Sequence, residues 1–229
     1  MPLFAQQPDV HYLHHGAMPP GAIGSRQLQR GGPLPGYFQP VEIKAPPGAL
    51  VSLASEGRFD RPQRAPLRAG LLIGQVYRFR VMKIPRNPGV ELFPTIEVID
   101  RLYSPQGQQW RFAIPVELTQ EDLELARDGK FVTRVIYLEN PRAATPVAED
   151  LQRQNWYEVG PKGDPLVAAD TLGRPVAILR LGIRVPDANE GPDMSFLFGC
   201  PPLAKDPTGP DATGTAAPGT ATVSEASQP

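Results

Sequence analysis

The sequence predicts a mainly β protein: an antiparallel β-sandwich of about seven strands with one short helix, held between disordered N- and C-terminal tails. Three observations predict it. Segments that alternate apolar and polar residues recur through the middle of the chain, which is the period of a half-buried strand. Turn signals separate them every ten residues or so. Pro (29) and Gly (22) together exceed a fifth of the 229 residues, against roughly 12% expected, and they crowd the two ends and the turns. The layer solution for such a string is two antiparallel sheets packed face to face.

Residues 1–37, with "GAMPPGAIG" and "RGGPLPGYF", show no period of 2 or 3.6 and read as a flexible Pro/Gly-rich arm. The domain is expected over 38–203. "VEIKA" alternates, with Val41, Ile43 and Ala45 on one face and Glu42 and Lys44 on the other. "PPG" turns the chain into "ALVSL", making a candidate hairpin. Residues 54–70 read as a polar loop carrying Arg58, Arg61, Arg64 and Arg68. Only Phe59 accompanies these arginines, so the stacking pattern of a nucleic-acid site is missing.

"QVYRFRVMKI" is the clearest strand, with Tyr77, Phe79 and Val81 facing the core and Arg78 and Arg80 facing solvent. After "PRNPG", the segment "VELFPTIEVIDRL" resumes with Leu92, Ile96 and Val98 in phase. Pro94 cannot donate a ladder hydrogen bond, so this strand is expected at a sheet edge or at a bulge. "WRFAIPVEL" follows a turn. In "LTQEDLELARDGK" the period changes: Thr119 is an N-cap with Asp122 three residues on, Leu118 and Leu123 form a hydrophobic staple, and Gly129 is the stop. The acids Glu121, Asp122 and Glu124 favour the positive helix N-terminus and are expected to be exposed.

"FVTRVIYL" is an almost continuous apolar and β-branched run, expected as a central strand buried on both faces. Residues 147–175 fit either helix or strand, with one helical turn expected in "DPLVAADTLG". "VAILRLGIRV" closes the domain, Ala177, Leu179, Leu181, Ile183 and Val185 facing in and Arg180 and Arg184 out. From 204 to 229 the Ala/Thr/Pro/Gly composition offers almost nothing to bury, and a disordered tail is expected.

The chemistry is sparse. All three histidines, His11, His14 and His15, lie in the arm, where "MPPG" prevents a helix from holding them together. A zinc site needs about three ligands fixed by supporting contacts, so no metal site is assigned. Cys200, the single cysteine, sits in the apolar "FLFGCPP" and reads as a small buried hydrophobe, with no histidine in the domain to activate it. "DANEGPD" from Asp187 approaches a calcium loop, but its Gly falls one position early and no twelfth-position Glu follows. Glu91 and Glu97 lie on one strand face about 20 Å apart, wider than paired glycosidase carboxylates, and read as solvent-face residues. No nucleophile elbow, Walker loop, dinucleotide fingerprint or zinc-protease motif occurs. No catalytic, cofactor-binding or metal residue is assigned, no cofactor is expected, and the residues that bind a ligand are not identified by the sequence.

Net charge is −1, which gives no global attraction to nucleic acid or an anionic membrane, and no run of about 18 apolar residues predicts a membrane helix. Eighteen arginines against five lysines reflect a GC-rich genome rather than a binding strategy. "MPLFAQQPDV" reads as the end of a signal peptide cleaved after Ala5, with the apolar region encoded upstream of Met1 or trimmed.

Three stretches, "PGVELFPTIEV", "IPVELTQEDLELARDGKFVTRVIYLENP" and "DPLVAADTLGRPVAILRLG", resemble a family of uncharacterised exported proteins of planctomycete-type bacteria across about residues 76–184. The resemblance implies an extracytoplasmic setting, in the periplasm or cell envelope, and carries no activity. The reading is therefore a non-enzymatic structural or interaction module of the bacterial envelope, its partner an envelope protein or surface polymer, with the Pro94 strand as a candidate edge. The alternative is a carbohydrate or other ligand-binding module, for which Tyr103, Trp110, Trp156 and Tyr157 are the plausible aromatics. An enzyme is disfavoured.

Overall fold

The computed structural model describes residues 19–32, 34–142, 156–160, 163–187, 189 and 191–207. In chain order the elements are α1 (Ala22–Gln29), β1 (Phe38–Lys44), β2 (Leu50–Ser55), β3 (Arg58–Phe59), β4 (Gln63–Arg64), β5 (Leu67–Leu72), β6 (Val76–Met82) and β7 (Thr95–Val98). A 3-10 turn (Gln109–Phe112) leads into β8 (Ile114–Glu117), α2 (Gln120–Arg127), β9 (Val132–Glu139), α3 (Pro165–Leu172), β10 (Gly173–Leu181) and β11 (Leu203–Lys205). The protein is mainly strand, in two sheets. The first has the order β11-β5-β1-β8; the second runs β3-β2-β6-β7-β10-β9, with β4 also on β2. Pairing is antiparallel except for β1 against β8, which is parallel.

One core takes side chains from both sheets: Val41, Ile43, Leu71 and Val116 from the first, and Val51, Phe79, Ile96 and Leu179 from the second. The far side of the second sheet is covered as well. Ile23 of α1 and Leu166 of α3 pack on Ile99 and Ile178, while Phe196 and Leu197 pack on Ala54 and Phe93. This second cover explains most departures from the sequence reading.

Arg78 and Arg180 do not face solvent; both are buried beneath it, and so is Glu97. Glu97 stands opposite Ile178 on β10 and Val76 on β6. Alternation correctly separates the two faces of these strands but says nothing about what lies over the second face. Arg80 is half-buried, near Glu91 at 3.8 Å and over the Phe59 ring.

The expected hairpin between residues 41 and 53 is absent, because β1 and β2 belong to different sheets and the turn at 46–48 carries the chain from one to the other. The expected polar loop 54–70 instead contains β3, β4 and β5. Small and apolar residues there bury themselves on the core side, Ala69 and Leu71 among them, while Arg68 pairs outward with Glu42. The expected arm contains α1, which begins at a left-handed Gly21 without a side-chain cap. Tertiary contact holds it: the Gly24 amide donates to Glu97 Oε1 at 2.9 Å, and Gly24 lies so close to Gly74 that a Cβ there would come within 2.6 Å of the Gly74 Cα. The expected tail boundary at 204 falls inside β11.

The helix signature is observed as read. Thr119 and Asp122 form the reciprocal capping box, Leu118 and Leu123 are both buried, and Gly129 follows with φ 82°. Asp122 is buried rather than exposed, because Arg134 of β9 grips it with two hydrogen bonds of 2.8 and 2.7 Å. "DPLVAADTLG" forms a two-turn helix, α3, capped by Asp164. The last strand ends at Leu181, which leaves Ile183 and Val185 exposed instead of facing in.

Candidate functional site

Two strand positions are reversed relative to the sequence reading, and the reversal locates the site. The Pro94 strand is not an edge: β7 pairs with β6 on one side and β10 on the other, and Pro94 is itself buried. Pro94 precedes the first β7 residue, accepts from Phe79 N–H at 3.1 Å, and forfeits only its own donation. "FVTRVIYL", expected at the centre, is β9, the edge of the second sheet. Nor is it buried on both faces: only Ile136 is buried, toward the core, Val135 packs partly on the α1–α3 cluster, and the rest of the strand is half-buried or exposed. Face burial and edge pairing are independent, so such a run does not reveal whether a strand has one neighbour or two.

Eight residues of β9 pair with β10, from Leu181↔Val132 to Gly173↔Glu139, and the bulge in this pair lies on β10, leaving β9 regular. Among the described residues, nothing hydrogen-bonds to the backbone groups of Val132–Glu139 that point away from β10. The other sheet ends are guarded differently: β3 has two residues, β8 has four including Pro115, and β11 has three and ends in Lys205. Short strands, proline and lysine are devices that blunt an edge. Within β9 there is neither proline nor lysine.

Exposed apolar side chains gather around this edge. Phe131 is 61% exposed just before β9, and Leu138 is 41% exposed within it. Trp156 and Tyr157 are half-exposed; the Trp156 ring lies 4.9 Å from the Arg134 guanidinium. Burial, then the neighbouring Tyr157 and Glu139, push the Tyr137 phenol above its usual range. No backbone hydrogen bond joins residues 156–160 to β9. The arrangement can accept an extended chain through main-chain hydrogen bonds flanked by apolar contacts, the geometry of strand addition.

A second cluster surrounds Tyr103, 70% exposed. The guanidinium of Arg101 stands 4.3 Å from its ring centre and that of Arg174 stands 5.3 Å away, with Arg174 also paired to Asp100. Arg101 Nε is buried with no hydrogen-bond partner among the described residues. Trp110, in the 3-10 turn, is half-buried.

The remaining sequence candidates are dispersed. His11, His14 and His15 lie outside the described residues. Arg58, Arg61, Arg64 and Arg68 are exposed, but Arg58 and Arg64 sit on the second sheet and Arg68 on the first. Glu91 is exposed, whereas Glu97 is fully buried and ion-paired to Arg180 Nη1 at 2.8 Å. Cys200 is half-buried against the Phe93–Phe196 cluster, and its sulfur accepts from Gly57 N–H at 3.3 Å. In the Asp187 loop, Asp187 Oδ1 accepts from Asn189 N–H. Asp193 Oδ1 accepts from Phe196 N–H, and chiefly this bond, helped by Ser195, holds its carboxyl below the usual range. No group of three or more metal-ligating side chains occurs among the described residues.

Arg78 has a buried guanidinium with no carboxylate on it. It donates to the carbonyls of Phe196 (2.6 Å) and Phe93 (2.7 Å) and lies 4.1 Å from the Phe196 ring centre. Burial, then Arg184, push its pKa down to about 10, so it remains charged at neutral pH. It clips residues 193–200 to the sheet.

Sequence reasoning missed Phe131 and Leu138. No helix among the described residues is long and apolar enough to cross a membrane. No family model, curated protein or solved structure matches the chain.

Proposed function

We propose that this chain is a non-enzymatic interaction module of β-sandwich type that takes an extended segment of a partner onto the β9 edge. The observation that carries the reading is the eight-residue strand Val132–Glu139, regular and without proline or lysine, with exposed Phe131 and Leu138 at its ends. Main-chain pairing supplies affinity in such a mode, and pockets or neighbours at alternate side chains supply specificity. A location in the bacterial envelope is part of the proposal and rests on the family resemblance. Fractionation of the source cells tests it, and recovery in the cytoplasm would remove it.

The edge itself is tested by replacing Phe131 or Leu138 with a photo-crosslinking amino acid and irradiating intact cells, with Phe112, exposed elsewhere, as the control position. Adducts from 131 and 138 but not 112 are expected. Equal adducts at all three positions, or none, would refute β9 as the contact.

A second reading, binding of an acidic carbohydrate, is favoured by one observation, the exposed Tyr103 ring between two guanidinium groups. A sugar face can stack on the ring while a uronate carboxylate meets Arg101. Titration with uronate-containing oligosaccharides, repeated on Tyr103→Ala and Trp156→Ala, separates the readings. Loss of binding only in Tyr103→Ala supports this one, and no binding at all dismisses it.

A further inference from the structure

We propose that Trp156 and Tyr157 form a strap of the chain's own across the β9 edge, which a partner segment must displace before it can pair there. This rests on the edge-pairing reading above and concerns how that edge is regulated. Successive side chains of a strand point to opposite faces, so Arg134 and Tyr137, three apart, lie on different faces of β9. Arg134 shares the face of Ile136, toward the core between the sheets, where Asp122 of α2 holds its guanidinium with two hydrogen bonds. Tyr137 shares the face of Val135, toward the α1–α3 cluster. Two consecutive residues of one segment reach these two places: the Trp156 ring centre lies 4.9 Å from the Arg134 guanidinium, and Tyr157 neighbours the Tyr137 phenol. Both places are in the middle of the strand, and β10 closes its other side. The main chain joining Trp156 to Tyr157 therefore passes from one face to the other round the open edge.

The strap holds lightly. Both of its side chains are half-exposed, and among the described residues no backbone hydrogen bond joins 156–160 to β9. It shields the middle of the edge without satisfying the main-chain donors and acceptors there. A loop laid over an edge is one way a protein keeps a strand from indiscriminate pairing, and here it stands in place of the proline and lysine that β9 lacks. A partner strand gains the ladder hydrogen bonds that the strap forgoes, so displacement exchanges a stacking contact for main-chain pairing. The covered stretch, Arg134–Tyr137, lies between exposed Phe131 and Leu138, which stay open to an incoming segment as its first contacts.

The test compares the full chain with a double variant, Trp156→Ala with Tyr157→Ala. Neither residue belongs to the core, so the substitutions leave the fold intact, which circular dichroism checks. One readout is amide exchange in the purified protein at the N–H groups of Arg134–Tyr137 that point away from β10. The other is photo-adduct yield in cells from positions 131 and 138, with 112 as the control. The double variant should exchange about two- to fivefold faster at those amides, the worth of an exposed cation–π contact. Its adduct yield at 131 and 138, to the same partner, should rise by a similar factor while that at 112 stays level. Unchanged exchange would overturn the strap and leave the edge reading standing. Faster exchange with an unchanged yield would overturn the strap as a barrier to the partner. A lower yield would overturn it too, making Trp156 and Tyr157 part of the binding surface. Adducts absent from parent and variant alike would remove the edge reading, and the regulation with it.

Discussion

Glu97→Ala removes the carboxylate at the centre of the second sheet's covered face. Glu97 is fully buried; one oxygen accepts from Arg180 Nη1 at 2.8 Å and the other from the Gly24 amide at 2.9 Å. The substitution leaves a 6%-exposed guanidinium without its counter-charge, a change that costs about 3–5 kcal/mol. It also leaves the α1 amide without an acceptor, worth roughly 1–3 kcal/mol when buried. The two losses share one site and do not add, so about 4–5 kcal/mol is expected in total. At a urea slope of roughly 2 kcal/mol/M this moves the unfolding midpoint down by about 2 M, read by far-ultraviolet circular dichroism. The paired variant Glu97→Met with Arg180→Met should fall within about 1–2 kcal/mol of the parent, because Ile23, Ile99, Leu166 and Ile178 already make the surroundings apolar. A single-variant cost below about 1 kcal/mol would mean that solvent reaches the pair and the ion-pair reasoning fails. A double variant as unstable as the single would mean that the charges fix the seat of α1 rather than merely cancel each other.

The remaining expectations follow the same contacts. Gly24→Ala places a Cβ 2.6 Å from the Gly74 Cα, so α1 should lift from the sheet, and faster proteolysis near residue 30 with the sheet's exchange protection retained would show it. Thr119→Ala breaks the capping box of α2 and should cost about 1 kcal/mol, measured by urea unfolding, with Thr119→Ser close to the parent. Tyr77 donates to the Pro202 carbonyl and accepts from Leu72 N–H, and burial above all pushes its pKa up to about 12. The folded chain therefore keeps this proton where the unfolded chain loses it. Its contribution is complete below about pH 10 and declines as pH rises toward 12. Tyr77→Phe should be less stable at neutral pH by about 1–2 kcal/mol and should show a shallower loss above pH 10; an unchanged slope there would refute the assignment.

What the sequence disclosed was decided locally. The α2 boundaries are set by Thr119, Asp122 and Gly129 within one turn of the residues they cap, and alternation in β6 and β7 separates Tyr77, Phe79 and Ile96 from Arg78 and Glu97 correctly. What it hid depends on partners distant in the chain. The destination of Arg78 is the carbonyl of Phe196, 118 residues away, and that of Glu97 is Arg180, 83 residues away. No window along the chain contains both ends of either contact. A charged residue alternating with apolar ones signals a second face, and the prior for that face is solvent unless another element covers it. Glu97 and Arg180 did carry a legible hint, opposite charges in the same phase on two strands, but pairing those strands required the topology. The helix α1 was hidden for a related reason: its sequence lacks a capping side chain and an apolar stripe, and its hold on the fold comes from Gly24 and Ile23 meeting residues of β7 and the loop before β6.

The same independence of faces and edges bears on function. Covering both faces of the second sheet buries Arg78, Arg180 and Glu97, which makes those charges structural and removes them from the surface chemistry available to a partner. What remains outward are loop ends and strand edges, and the edges differ in kind. β3, β8 and β11 are too short or carry proline or lysine, so pairing there would gain few hydrogen bonds. β9 is longer than these three and has a single hydrogen-bonded neighbour among the described strands. A strand with that combination is an aggregation hazard when left unmatched. Charged substitution at Leu138, on the rim and already 41% exposed, would have removed the hazard with little effect on the core. Leu138 near one end of β9 and Phe131 just before the other stay exposed on either side of the strand, which is understandable if the edge takes up a partner segment as proposed.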